Sequence, residues 1–152
     1  MPVVWRERMR IGHELIDADH RYLLSLFNSV ELSLRVPDTL RYLPVFFGQF
    51  LDYAREHFAR EEQVQFKMGF PGYLEHKLEH QRIAAKLAEL QDRISTELDA
   101  MPEDEEAVAA LQEQLRPEIL ELARTWVIDH ILQTDGKMRP WFTPDPAAIR
   151  PD

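Results

Sequence analysis

Apolar residues return every three to four positions in four separate runs, the spacing of amphipathic helices, and no stretch alternates with a period of two. The first predicted helix covers about Ala18 to Arg35. Its stripe is His20, Leu23, Leu24, Phe27, Val30 and Leu34, with Asp17 as N-cap and Pro37 as stop. The second stripe runs from Leu43 to Met68 through Phe46, Phe47, Phe50, Ala54, His57, Glu61 and Val64, and Pro44 sits where a first turn tolerates it. After the Gly69-Phe70-Pro71-Gly72 turn comes the third, from Tyr73 to Leu98 by way of His76, His80, Ile83, Leu87, Leu90 and Ile94. The fourth passes Val108, Leu111, Leu115, Ile119, Leu122, Trp126, Val127 and His130, and Pro117 within it predicts either a kink or a break.

Four such helices joined by short turns make an all-α, up-down-up-down four-helix bundle over about residues 17–138, within a single domain spanning 1–152. Residues 1–16 read as an N-terminal arm with Trp5 as packing anchor. Residues 139–152 hold Pro140, Pro144, Pro146 and Pro151 and read as an extended, Pro-rich tail.

Composition narrows the chemistry. The 152-residue chain has no cysteine, which excludes disulfides, thiol catalysis and every thiolate-ligated metal site. A net charge of −9 argues against nucleic acid and anionic membranes as partners. Residues 1–12 carry charges where a signal peptide needs an apolar run, and no apolar stretch approaches the roughly 18 residues of a membrane span, so a soluble, cytoplasmic protein is expected.

The informative residues occupy core stripes without being apolar. His20 is one. His57 and Glu61, four apart, lie one above the other, as do His76 and His80; His130 ends the fourth stripe, with Asp135 just beyond. A lone inward histidine is most often a hydrogen-bonded core residue. Burying five imidazoles and two carboxylates unpaired would be expensive, at roughly 1–3 kcal/mol for each unsatisfied group. The bundle topology adds a test. The start of helix one, the end of two, the start of three and the end of four share one end of the molecule, and all seven residues fall there.

Without thiolates, imidazole and carboxylate donors suit Fe, Zn, Mn, Cu or Ni. Seven ligands exceed one four-coordinate zinc and fit two six-coordinate ions bridged by two carboxylates. Dinuclear bundle sites built mainly of glutamate activate oxygen or oxidise iron. Here histidines outnumber carboxylates five to two, which disfavours high oxidation states and points to reversible oxygen binding.

The segments Ile16-Asp17-Ala18-Asp19-His20, His57-Phe58-Ala59-Arg60-Glu61-Glu62, His76-Lys77-Leu78-Glu79-His80 and His130-Ile131-Leu132-Gln133-Thr134-Asp135 resemble, in order, those of the bacterial hemerythrins. The resemblance implies an oxygen-binding protein with two Fe ions, an oxo- or hydroxo-bridged di-iron centre. His76, His80 and His130 would bind one iron, and His20 and His57 the other, which keeps an open position for dioxygen. Glu61 and Asp135 would bridge both. Phe58, Trp126 and Ile131 match positions that form an apolar wall around the oxygen. A protein partner receiving oxygen or a signal stays unspecified.

Departures from the family pattern bear on these expectations. Asp19 stands where many relatives carry glutamine. The segment between His80 and His130 is long and acidic, which predicts extended third and fourth helices. Asp135 follows His130 by five residues, about 140° away on an ideal helix, so the last turn should be distorted. Glu62 is rotated about 100° from Glu61 and reads as solvated or as supporting a ligand, and His13 reads as peripheral. The expected function is non-enzymatic storage, delivery or sensing of oxygen. The alternative is a di-iron oxidase, peroxidase or nitric-oxide-reacting enzyme on the same bundle.

Overall fold

The computed structural model describes residues 2–142, and among them there is no strand. Four long helices, α1 (Glu14–Arg35), α2 (Leu43–Met68), α3 (Tyr73–Ala100) and α4 (Glu105–Ala123), form the up-down-up-down bundle. Helix α1 packs against both α2 and α4, and α2 against α3. Directly after α4 the chain continues as a wider π-helical stretch, Arg124–Thr134, a 3-10 turn, Asp135–Met138, and a short helix α5 (Arg139–Phe142). No described helix is long and apolar enough to cross a membrane.

Local chemistry sets the helix ends. Helix α1 begins at Glu14, four residues before the expected start, because His13 is the N-cap: its ring nitrogen accepts the Ile16 N–H at 3.4 Å. Asp17 is therefore not the cap. From the first turn its carboxylate reaches back to accept the N–H groups of Ile11 (2.8 Å) and Gly12 (3.1 Å), and Gly12, at φ 97°, gives the arm the reversal this needs. Val36 takes the extended conformation demanded before Pro37 and ends α1. At the end of α2, Gly69 adopts φ 67° and its N–H bonds Phe66 O, while the Phe70 N–H bonds Gln65 O, the Schellman pattern. This tight stop returns the chain directly as α3.

Pro117 neither breaks nor ends its helix; α4 runs through it. Proline removes one N–H and leaves the Glu113 carbonyl without its helical donor, but both residues are exposed, so water serves that carbonyl. The C-terminal stretch also differs from expectation. Pro140 lies in the first turn of α5, where its missing N–H is not needed. Arg139 next to it donates to Arg8 O and, at 2.8 Å, to Arg10 O, and Phe142 packs edge-on to His13 at 5.0 Å. The rest of the expected tail, residues 143–152, lies outside the described residues.

The core has two parts. A large cluster holds Leu23, Phe27, Phe47, Phe50, Ala54, Leu87, Ile119 and Val127 among others. A small one joins Ile11, Ile16, Phe70 and Met138 at the end where α2 turns into α3. The polar stripe residues lie between them on every strut. Along α1 the order is Ile16, His20, Leu23; along α2, Ala54, His57, Glu61, Met68; on the last strut, Val127, His130, Asp135, Met138.

Candidate metal centre

All seven stripe residues are buried, none more than 3% exposed. They form two overlapping groups with donor atoms within 4.8 Å of one another: Glu61, His76, His80, His130 and Asp135, and His20, His57, Glu61 and Asp135. Glu61 and Asp135 belong to both. Glu61 Oε1 is 2.7 Å from His76 Nε2 and 3.4 Å from His80 Nε2, while its Oε2 is 3.0 Å from His57 Nε2 and 3.5 Å from His20 Nε2. Asp135 Oδ1 lies 2.8 Å from His76 Nε2 and 2.9 Å from His130 Nε2, and its Oδ2 is 3.0 Å from His20 Nε2. Each carboxylate thus turns one oxygen to each group.

These close approaches lack hydrogen-bond alignment. The Nε2 atoms of His20, His76, His80 and His130 and all four oxygens of Glu61 and Asp135 are buried without a hydrogen-bond partner among the described residues. Buried polar atoms are normally paired. Nitrogen and oxygen donors converging at about 3 Å without hydrogen-bond alignment match donors around an octahedral ion with bonds of about 2.1 Å. The donor set fits a metal.

Four of the five imidazoles are fixed from behind through Nδ1. His57 meets Asp19 Oδ2 at 3.0 Å, and Asp19 also accepts from Tyr53 Oη (2.6 Å) and from Arg60 through Nε (2.8 Å) and Nη2 (2.9 Å). His130 meets Glu79 Oε1 at 3.0 Å, His80 meets Glu62 Oε2 at 3.4 Å, and His76 meets the Gln65 amide at 3.0 Å. At His57, His80 and His130 the carboxylate at Nδ1 accepts the proton held there and leaves the Nε2 lone pair facing the cluster, whereas the Gln65 Nε2 amide, a donor, fixes the His76 ring without setting that tautomer. Glu62 therefore has the supporting place expected of an off-stripe residue. Asp19, Gln65 and Glu79 were not identified as supports from the sequence. Gln65 had a visible signal, since it lies four residues beyond Glu61, the spacing that stacks side chains on one helix face, and the structure buries it fully. Neither donor group includes His13.

Burial alone would drive His20, His57, His76 and His130 neutral, but the carboxylates outweigh it. Asp135 and Glu61 hold His20 up at about 9 and His76 at about 9; His130 is held at about 10 by Asp135 together with Glu79. Burial would raise Glu61, yet His20 and His57 keep it well below the usual carboxylate range. Asp135, which burial and neighbouring Glu61 would also raise, is held low by His130 and His20. Two buried negative charges therefore demand positive charge beside them, from protons on the imidazoles or from a cation in their place.

The distortion expected near Asp135 is larger than one turn. The helical bonding pattern widens over the eleven residues Arg124–Thr134, and the Asp135 N–H reaches His130 O and Ile131 O. In a helix bonded five residues apart, residues at that spacing stack one above the other. This brings Asp135 over His130, which an α-helix would not do.

Phe58, Trp126 and Ile131 are all buried. Phe58 stacks on the His80 ring at 4.0 Å and 12°, and Trp126 meets Phe58 edge-on at 5.6 Å. Beyond Trp126 a cleft of about 400 Å³ opens between α3 and α4, floored by Ile83, Leu90, Leu122 and Trp126 itself. The indole thus separates this cleft from the ring lying on His80.

A helical bundle with a histidine-rich cluster joined by two shared carboxylates at one end defines a metal-binding bundle domain. The chain belongs to the hemerythrin family: the model of the hemerythrin HHE cation binding domain matches residues 11–142. It is 26% identical over 135 residues to a bacteriohemerythrin of Clostridium acetobutylicum, covering 87% of this chain and 95% of that one. A bacteriohemerythrin of Stenotrophomonas maltophilia is 23% identical over 133 residues, 88% of this chain and 76% of the relative. A myohemerythrin of Riftia pachyptila is 23% identical over 138 residues, 91% and 92% of the two chains.

Proposed function

We propose that the protein binds dioxygen reversibly at a non-haem di-iron centre, in the cytoplasm, to store, deliver or report oxygen. The observation that carries this reading is the sharing of Glu61 and Asp135 between two donor groups, one with three imidazoles and one with two. In this reading His76, His80 and His130 hold one ion, His20 and His57 hold the other, and the two carboxylates span both. The group with fewer donors leaves room for a small ligand. Two ferrous ions would supply the electrons that oxygen takes up on binding and returns on release.

The chain's own contribution is to aim, neutralise and shield. The partners at Nδ1 keep four imidazoles facing inward, and the carboxylates behind His57, His80 and His130 keep the Nε2 lone pair of those three available. Five neutral imidazoles against two carboxylates keep anionic charge on the ions low, which favours reversible binding over the oxidative turnover of glutamate-rich sites. Phe58, Trp126 and Ile131 exclude water, which would otherwise promote irreversible oxidation.

The test is an absorption spectrum of the iron-loaded, anaerobically reduced protein, taken before air, after air, and after oxygen is removed again. A band that appears with oxygen and disappears on its removal is expected. Irreversible oxidation on first exposure, or sustained consumption of peroxide or nitric oxide by the resting protein, would replace this reading with the enzymatic one.

A further inference from the structure

The two donor groups are held unequally. One has three imidazoles with the shared carboxylates and the other only two, so its grip on an ion depends more heavily on each. Of those two, His20 has no hydrogen-bond partner on its buried Nδ1 among the described residues. The orientation of the weaker group therefore rests on His57.

At His57 the chain has assembled its most elaborate support. Asp19 is 2% exposed and receives four hydrogen bonds, from His57, from Tyr53 and twice from Arg60. The guanidinium engages both carboxylate oxygens side by side, the pairing that fixes orientation most firmly. The supports of the other group are looser. Glu79 has a side chain 37% exposed, Glu62 stands at 3.4 Å, and Gln65 carries no charge. Held at both oxygens by Arg60 and Tyr53, the Asp19 carboxylate meets His57 Nδ1 from a fixed position.

We propose that Asp19, clamped by Arg60 and Tyr53, is a positioning residue that sets the occupancy of the metal position formed by His20, His57, Glu61 and Asp135. This rests on the two-ion reading above. Orienting residues of this kind are worth roughly 10–100-fold in metal affinity. Here that factor falls on the group with fewest donors, so losing Asp19 leaves a chain that holds one ion firmly and the other poorly. Arg60 and Tyr53 act one step further out, by holding Asp19 in place.

The experiment challenges iron-loaded full-length protein, under argon, with increasing concentrations of a ferrous chelator and reads iron retained per chain. In Asp19→Ala, one of two irons should leave at roughly 10–100-fold lower chelator concentration, while the second leaves where it does in wild type. Tyr53→Phe removes a single hydrogen bond to Asp19 and should shift the same iron about fivefold. Equal weakening of both irons, or no shift in either, would overturn the proposal by reducing Asp19 to a general structural role. Should Asp19→Ala fail to fold, Tyr53→Phe decides by the same criterion. A wild-type chain that holds only one iron when fully loaded is a distinct result, and it overturns the two-ion reading together with this proposal.

Discussion

Removing the metal turns the buried cluster into a pH-dependent element whose sign follows from its charges. In the metal-free chain His20 and His76 are held at about 9 and His130 at about 10, against about 6.5 for an unfolded histidine. A group with a raised folded value contributes all of its stability below the unfolded value and loses it as pH rises through the folded one. The metal-free bundle should therefore be stable at pH 6.5 and weaken progressively towards pH 10. A rise from 6.5 to about 9 in one histidine corresponds to about 3 kcal/mol. The three imidazoles draw on the same two carboxylates, so the loss for the set is taken to be on the order of that value. For a domain of this size that is a large part of a stability of ~5–15 kcal/mol. Urea denaturation of chelator-treated protein at pH 6.5, 8 and 10, followed by helical circular dichroism, measures it. Iron-loaded protein should not show the decline, because the metal replaces the protons and binds more tightly as they leave. Equal stability of the metal-free chain at pH 6.5 and 10 would refute the reasoning.

Two further outcomes test the site directly. Trp126→Phe and Phe58→Leu thin the layer between the α3–α4 cleft and the His80 ring, so each should speed loss of the oxygenated spectrum while iron content stays near wild type; wild-type rates in both would place the water barrier elsewhere. Glu61→Gln should lose bound iron or the oxygenated spectrum, because one residue serves both donor groups, whereas Glu62→Gln only loosens the 3.4 Å contact to His80 and should leave both largely intact; the reverse ranking would mean that Glu62, not Glu61, faces the cluster.

The buried cluster was legible because histidines and a glutamate replace apolar residues at positions the helical period reserves for the core. His57, Glu61, His76, His80 and His130 each interrupt a stripe, and the bundle topology brings the interruptions to one end. The supports were not legible in the same way. Asp19 and Glu79 each precede a histidine in sequence yet serve an imidazole on another helix, a relation set by packing and invisible to periodicity. Asp17 misled for a related reason. An aspartate near a helix start serves equally well as a cap or as a brace for the preceding arm, and only the path of the arm, turned back at Gly12, decides between them. The five-residue gap from His130 to Asp135 signalled a distortion, but its spread over eleven residues has no compositional mark.

The placement of the clustered imidazoles and carboxylates between two apolar clusters also bears on how the chain would load and keep metal ions. Fully burying a large apolar side chain stabilises the fold by about 1.5–3 kcal/mol, and Phe27, Phe47, Phe50, Leu51, Leu87 and Ile94 in the large cluster are all essentially inaccessible. That cluster involves no metal donor, so the bundle has its own source of stability whether or not ions are bound. At the other end the Schellman stop at Gly69, the brace of Asp17 on the arm and the clasp of Arg139 on Arg10 O tie the chain together by hydrogen bonds to backbone groups that also need no metal. Four imidazoles are held from behind by residues outside the donor set, and the π-helical stretch carries Asp135 over His130 through backbone geometry. Binding then exchanges protons for metal within a frame already formed, instead of ordering the chain around the ion. A site organised in this way can lose and regain its ions without unfolding. Its metal affinity should accordingly respond to pH and to the residues that aim the histidines more than to changes in the distant core.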